Sequence, residues 1–264
     1  MKYYLISMLF ILAFSSCNQK IEIPKEQSIE TTQKHTLIKF NDTLVPVNKQ
    51  EDTCTCKENN KGFRFIPERY FGPLSDDYDT LSNEEILNTK TITFVAFDTI
   101  PLKFAEFKNV ETIILRRIDW QEIIGLDLFP KLKNIKFWGK TVNLSNNPKW
   151  LKNIEIIHAE KSRFNGLKSF NQLPNLRELK FAFSGFDLFP TDFGNLQCLN
   201  HFETGAHQGK IDLSKIDLKN MPCLNYVKFH SWSKNLMGVP KNLDHIKYHS
   251  VHHANLTEEE RKKY

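Results

Sequence analysis

From residue 86 onward the apolar positions repeat one phrase. In Leu173-Pro-Asn-Leu176-Arg-Glu-Leu179-Lys-Phe181 they stand at offsets 0, 3, 6 and 8, the last two alternating with polar residues as in a strand with one buried face. The same offsets hold Phe107, Val110, Ile113 and Leu115, then Phe129, Leu132, Ile135 and Phe137. They return as Leu196, Leu199 and Phe202 with Thr204 in the last place, and as Met221, Leu224, Val227 and Phe229. Weaker copies begin at Ile86 (with Ile92 and Phe94), at Pro148 (Leu151, Ile154, Ile156) and at Pro240 (Leu243, Ile246, Tyr248). Successive starts lie 19 to 25 residues apart. Such a period predicts one short strand per unit, added side by side to a parallel sheet, with the apolar offsets filling a core shared between neighbours. No unit buries its apolar face alone, so the units fold as an array. The fold class is an α/β repeat solenoid, and the array covers residues 86–255.

The phrase resembles the Leu-x-x-Leu-x-Leu core of the leucine-rich-repeat family. Phe181-Ala-Phe-Ser-Gly-Phe186-Asp-Leu-Phe189-Pro190 also resembles the family's apolar-x-x-apolar-Pro turn, and Ile100-Pro101, Phe129-Pro130 and Val239-Pro240 echo it. The resemblance implies a parallel β-sheet on a concave face, short helices or irregular turns on the convex face, and ligands held on the concave side. The copies diverge from the family in one respect. Where the family places an Asn three residues past the last strand apolar, this chain has Ile118, Lys140, Ala159, Ser184, His207, Trp232 and Val251. Only Ser184 offers a comparable side chain to the backbone groups inside the turn.

An open stack exposes core and unpaired strand edges, so both ends need covers. Residues 61–85 form the expected N-terminal cap, with Phe63, Phe65, Ile66, Tyr70 and Phe71 to bury and a capping box at Ser82-Asn-Glu-Glu85. Residues 256–264 close the other end. Thr257-Glu-Glu-Glu260 is a second capping box, and the finish in Arg261, Lys262 and Lys263 suits the dipole of a short helix.

Ahead of the array, residues 3–14 are an apolar stretch too short for a helix across a ~30 Å hydrocarbon core, which needs about 20 residues. With Lys2 before it and Ser15-Ser16-Cys17 after it, the segment reads as an export signal. It resembles the lipobox of bacterial lipoproteins, with Phe14 where that family usually has Leu. The resemblance implies removal of residues 1–16 and lipidation of Cys17. It also implies a membrane-anchored protein of the bacterial cell envelope, periplasmic or surface-exposed. Residues 17–60 are rich in Lys, Glu, Gln, Thr and Asn without periodicity and read as a flexible, lipid-attached tether.

Composition narrows the function classes. With 21 Phe, 7 Tyr and 4 Trp the chain has ample apolar surface, which excludes whole-chain disorder. The net charge is only +5, from 36 basic and 31 acidic residues interspersed, unlike the concentrated basic face of a nucleic-acid binder. The sequence lacks Gly-x-Ser-x-Gly, P-loop, Gly-x-Gly-x-x-Gly and His-Glu-x-x-His motifs, so neither catalysis nor a cofactor is expected.

The candidate site is therefore the concave face. Its middle row, at offset 7, reads Thr93, Ile114, Lys136, Glu155, Lys180, Glu203, Lys228 and Lys247, where Lys and Glu on neighbouring rungs form exposed pairs worth about 0–1 kcal/mol. Trp138, Phe183, Tyr226 and His230 add aromatic groups of the kind enriched at interfaces. His201, Tyr226 and His245 share offset 5, and His230 and His249 share offset 9. Stacked imidazoles suit transition metals, but the spacing sets no third ligand and no metal is assigned. Cys198 and Cys223 share offset 2 in adjacent units, roughly 5 Å apart, and are candidate disulfide partners, although side chains in register on neighbouring rungs point the same way. Export would place them, with Cys54 and Cys56, where disulfides persist, and three pairings stay open. Cys54-Thr-Cys56 is one residue short of a redox motif. The expected function is recognition of a protein or peptide partner by side chains held on rigid strands, with no nucleic acid involved. Glycan or matrix adhesion is one alternative, and a metal-assisted enzyme at the His-rich C-terminal end is another.

Overall fold

The computed structural model describes residues 56, 64–72, 78–97, 99–116, 124–139, 141–144, 148–205, 210–231 and 234–264. The export signal, Cys17 and Cys54 lie outside the described residues. Among the described residues, nine strands form one parallel sheet whose order follows the chain. They are β1 (Arg69–Phe71), β2 (Thr91–Val95), β3 (Thr112–Arg116), β4 (Asn134–Trp138), β6 (Ile156–Glu160), β8 (Glu178–Ala182), β10 (His201–Gly205), β12 (Tyr226–Ser231) and β14 (Tyr248–His253). The return leg of each unit holds 3-10 turns or short strands. Of these strands, β5 (Thr141–Asn143), β7 (Arg163–Asn165) and β9 (Gly185–Phe186) pair as one small sheet, and β11 (Ile211–Asp212) pairs with β13 (Leu236–Met237). β1 was not expected: the N-terminal cap contributes a strand, setting Tyr70 opposite Thr93 and Phe71 opposite Phe94. The two capping boxes form as their residues predict, Ser82 with Glu85 opening α1 (Asn83–Asn88) and Thr257 with Glu260 opening α2 (Glu258–Lys263).

Strand pairing corrects the frame of two units. Leu179 and Phe181 stand opposite Ile157 and Ala159, while Val227 and Phe229 stand opposite His249 and Val251. The copies expected to start at Pro148 and Pro240 therefore start at Leu151 and Leu243. Unit lengths then run from 21 to 25 residues, and four of them are 22. The misreading has a physical cause. Ala159 and His249 are weak hydrophobic markers at inward positions, whereas Ile156 and Tyr248 imitate the last strand apolar three places before its true positions, Ala159 and Val251. The corrected frame also moves the turn position from Ala159 to Ser162. Ser184 Oγ accepts from Ser162 N–H at 2.8 Å and donates to the Ala182 carbonyl at 2.9 Å, and Ser162 Oγ donates to the Glu160 carbonyl at 3.0 Å. Two adjacent rungs thus use serine where the resembling family uses asparagine.

The inward offsets and the return legs enclose a phenylalanine core in which Phe94, Phe104, Phe107, Phe137, Phe164, Phe170, Phe181, Phe193, Phe202 and Phe229 are fully buried. Return legs stay short because proline and side-chain caps punctuate them. Pro101 and Pro148 precede the turns Leu102–Glu106 and Lys149–Asn153, where their fixed φ suits a first turn. Ser169 Oγ caps Phe170–Gln172 through Asn171 N–H and donates to Asp192 Oδ2 of the next unit at 2.5 Å. Gly194 is required by close approach: a Cβ there would lie 2.3 Å from the Asp217 carbonyl oxygen. Gly194→Ala should therefore cost about 1–3 kcal/mol by overpacking. A urea midpoint equal to that of the parent chain would contradict this.

Candidate functional site

Alternation sends offsets 6 and 8 into the core and offsets 5, 7 and 9 onto the concave face. In the observed register the middle row reads Thr93, Ile114, Lys136, His158, Lys180, Glu203, Lys228 and Ser250. Thr93 and Ile114 are 0% and 1% exposed, and the row opens only from Lys136 onward. The charged and aromatic groups therefore gather on β4 to β12. Four expected members leave the rows assigned to them. Glu155 precedes β6, and His245 and Lys247 precede β14, because the frame of those two units shifts. His249 stands in the inward column opposite Val227, its Nδ1–H donating to the Ile246 carbonyl at 3.1 Å. His158 and Ser250 take the vacated middle-row places, and His252 the outer-row place beside His230.

Glu155 instead completes a ladder along the edge where the strands begin. Lys90, Glu111, Lys133, Glu155 and Arg177 occupy offset 4 of five successive units with alternating charge. Contacts are 3.7 Å for Lys90–Glu111, 3.3 Å for Lys133–Glu155 and 3.7 Å for Arg177–Glu155. The pairs are largely exposed and contribute about 0–1 kcal/mol each.

At the centre of the face, Glu178 is buried at the start of β8. Its Oε1 accepts from His158 Nε2–H at 2.5 Å and from Lys180 Nζ at 2.8 Å. Burial pushes this carboxyl up, but the His158 and Lys180 hydrogen bonds and the lysine charge outweigh it and hold the group at about 2. His158 is held below its ordinary value, first by burial and then by the charges of Lys180 and Lys136, against the pull of Glu178. The consistent state is an ionised Glu178 facing a neutral His158 that donates through Nε2. Next along the face, Glu203 is lowered to about 2 by His201 beside it and by Lys228 Nζ at 2.8 Å, against partial burial. His201 Nε2 lies 3.7 Å from Glu203, too long for a hydrogen bond, so Lys228 carries the directional contact.

Aromatic groups flank these pairs. The His201 and Tyr226 rings stack at 4.1 Å with a 7° interplanar angle. Trp138, 38% exposed, lies 5.0 Å from the Arg116 guanidinium, whose other neighbour is Tyr70 at 5.8 Å. His230 donates to or accepts from Ser250 Oγ at 2.9 Å and meets His252 at 5.8 Å. Phe183 is 57% exposed just past β8 in a left-handed conformation, φ 52°, so it stands at the rim of the row rather than in it. Sequence reasoning missed Arg116, His158 and Glu178. Glu178 shares offset 5 with His201 and Tyr226, which is the signal that could have found it. Among the described residues no group of three or more His, Cys, Asp or Glu could hold a metal ion.

The candidate Cys198–Cys223 disulfide is not formed. Cys223 is bonded to Cys56, with Cα atoms 5.0 Å apart, and Cys198 is also disulfide-bonded. In-register thiols on neighbouring rungs point the same way, and Cys223 takes its partner from a distant part of the chain. Offset 2 is a linking position in several units. Asn109 and Asn175 there donate to the Leu87 and Lys152 carbonyls of the preceding rungs at 2.9 and 2.7 Å. The bond also ties Cys56, expected to lie in a free tether, to the folded unit, and Phe65 further on packs against His158 with centroids 4.8 Å apart.

No family model matches the chain, and no curated protein matches it. Among solved structures it is similar to internalin C2 of Listeria monocytogenes, at 14% identity and a TM-score of 0.44, over 66% of this chain and 84% of that one. The fold is a leucine-rich-repeat-like stack: nine parallel strands in chain order, with the repeated apolar offsets turned into one core.

Proposed function

We propose that this is an exported, membrane-anchored protein that binds a protein or peptide partner on the concave face between β4 and β12, without catalysis. The observation that carries the reading is the change along the middle row. It is buried at Thr93 and Ile114, then presents charged and aromatic groups held rigidly by the Glu178 and Glu203 pairs and by the His201–Tyr226 stack. Such groups lose little freedom on binding, which favours recognition. Lys136, Trp138, Lys180, Glu203, Tyr226, Lys228 and His230 are the contact residues.

A photo-crosslinking amino acid placed at Trp138 or Tyr226 of the full chain, expressed in its native envelope, should trap one discrete partner. The same group at Leu188, 72% exposed on a return leg, should not. Equal trapping at all three positions would sink the assignment of the face. Trp138→Ala and Tyr226→Ala should each weaken binding by about 1–2 kcal/mol or more, as central aromatic residues do.

Export and anchoring rest on Lys2, the apolar stretch to Phe14 and Ser15-Ser16-Cys17. The Cys56–Cys223 bond supports an oxidising compartment. Cys17→Ala should abolish incorporation of labelled fatty acid and move the protein from the membrane to the soluble fraction. Retention of label in that variant would refute lipidation at this residue.

A further inference from the structure

The described residues that lead into β1 touch the candidate face before the chain joins the sheet. Cys56 is bonded to Cys223, just ahead of β12, while Phe65 packs against His158 on β6. These two strands are three places apart in the sheet, about 14 Å, a span that nine extended residues cover easily. Burial alternates along the arriving end: Phe65 and Pro67 are half-buried, and Arg64, Ile66 and Glu68 are exposed. That is the pattern of an extended segment with one side down. Glu68 ends the segment by accepting from the N–H groups of Lys90 and Thr91 at 2.7 and 3.1 Å. It thereby serves β2 as the Lys90 carbonyl serves Glu111 and Thr112 one rung later. The segment is fixed at both ends and delivers one aromatic side chain to the middle row.

Resting on the reading of this face as a partner surface, we infer that Phe65-Ile66-Pro67 is an intramolecular occupant of it. The external partner is an extended peptide segment that presents an aromatic side chain to the same place over His158. The surroundings suit such a guest. Beside His158 lies a cavity of about 240 Å³, bordered by Lys136, Lys180 and Glu203 and opened by the small residues Ala182 and Gly205. Charged groups of both signs thus surround an aromatic seat, and a backbone crossing there finds donors and acceptors on either side. Phe65 and a guest ring cannot both pack on one imidazole face, so binding displaces Phe65. The crosslink holds Phe65 near its seat at a high effective concentration and so weakens every competitor.

The test uses the full chain and a synthetic peptide spanning residues 61–69. Modification of His158 by diethyl pyrocarbonate is followed by mass spectrometry, with exposed His252 as the internal standard. In Phe65→Ala, with the disulfide intact, His158 should react about tenfold faster than in the parent chain, and the peptide should restore its protection. A peptide with Ala in place of Phe65 should not. Labelled peptide should bind Phe65→Ala about tenfold or more tighter than the parent chain. The double variant Cys56→Ser/Cys223→Ser, checked for native circular dichroism, should also speed the reaction. If it fails to fold, Phe65→Ala alone decides. Equal His158 reactivity in parent and Phe65→Ala, or peptide binding indifferent to Phe65, would overturn the inference. Loss of partner crosslinks at Trp138 and Tyr226 with peptide protection intact would strike the proposed function instead.

Discussion

Replacing Phe193 with Ala should lower stability by about 3–5 kcal/mol, the range for a buried phenylalanine whose cavity cannot close. Phe193 is fully buried on a return leg and reaches across several units. Its ring lies 4.9 Å from Phe202, 5.4 Å from Phe170, 5.5 Å from Phe189 and 6.4 Å from Phe229. Most of these contacts are edge-to-face, which adds to simple area burial. Two of the neighbours, Phe202 and Phe229, are stiff rings on strands pinned by pairing on both sides, so little relaxation is available to fill the void. Because stability in a stack is shared between adjoining units, the damage should spread to the adjoining rungs and broaden the transition. Leu188→Ala, exposed on the same return leg, should stay within about 0.5 kcal/mol. Urea unfolding of both variants measures the difference. A loss below about 1 kcal/mol for Phe193→Ala would mean that the ring cluster repacks.

The repeat was legible because Leu, Phe and Ile mark the inward offsets in most units, and in those units the expected strands stand where the apolar residues put them. The frame fails where the inward places hold Ala159 and His249, residues that carry little hydrophobic signal, and where Ile156 and Tyr248 mimic the last strand apolar three places early. Those shifts propagated to the site. Glu155, His245 and Lys247 were drawn onto the face, and His158 was left off it. Arg116 was hidden for another reason: its role comes from the rings of Trp138 and Tyr70, the latter on a strand that periodicity did not reveal. Nor could spacing alone find the Cys56–Cys223 bond, because it joins residues 167 apart and depends on where a non-repeating segment travels. Local pattern reports local structure. Residues outside the repeat leave no period.

Glu178→Gln should cost on the order of 3 kcal/mol at neutral pH and should also remove an acid transition. Glu178 is buried, and its pairing with His158 and Lys180 brings the carboxyl from an ordinary 4.5 to about 2. A depressed carboxyl stabilises the folded chain above its unfolded value. The contribution is full above about pH 5 and disappears as pH falls through 4.5 toward 2. Each pKa unit corresponds to about 1.4 kcal/mol, which sets the size. His158 acts in the same direction over a higher window. Its folded value is lowered by burial, so the unfolded chain binds the proton more readily, and stability declines as pH drops below the ordinary 6.5. Glu203 shares the low-pH window but is more exposed, so solvent screening reduces its part. Urea midpoints of the parent chain and Glu178→Gln at pH 7, 5 and 3 separate these contributions. The gap between the two proteins should be widest at pH 7 and narrow sharply by pH 3. A gap that stays constant would show that Glu178 is held by packing rather than by its charge.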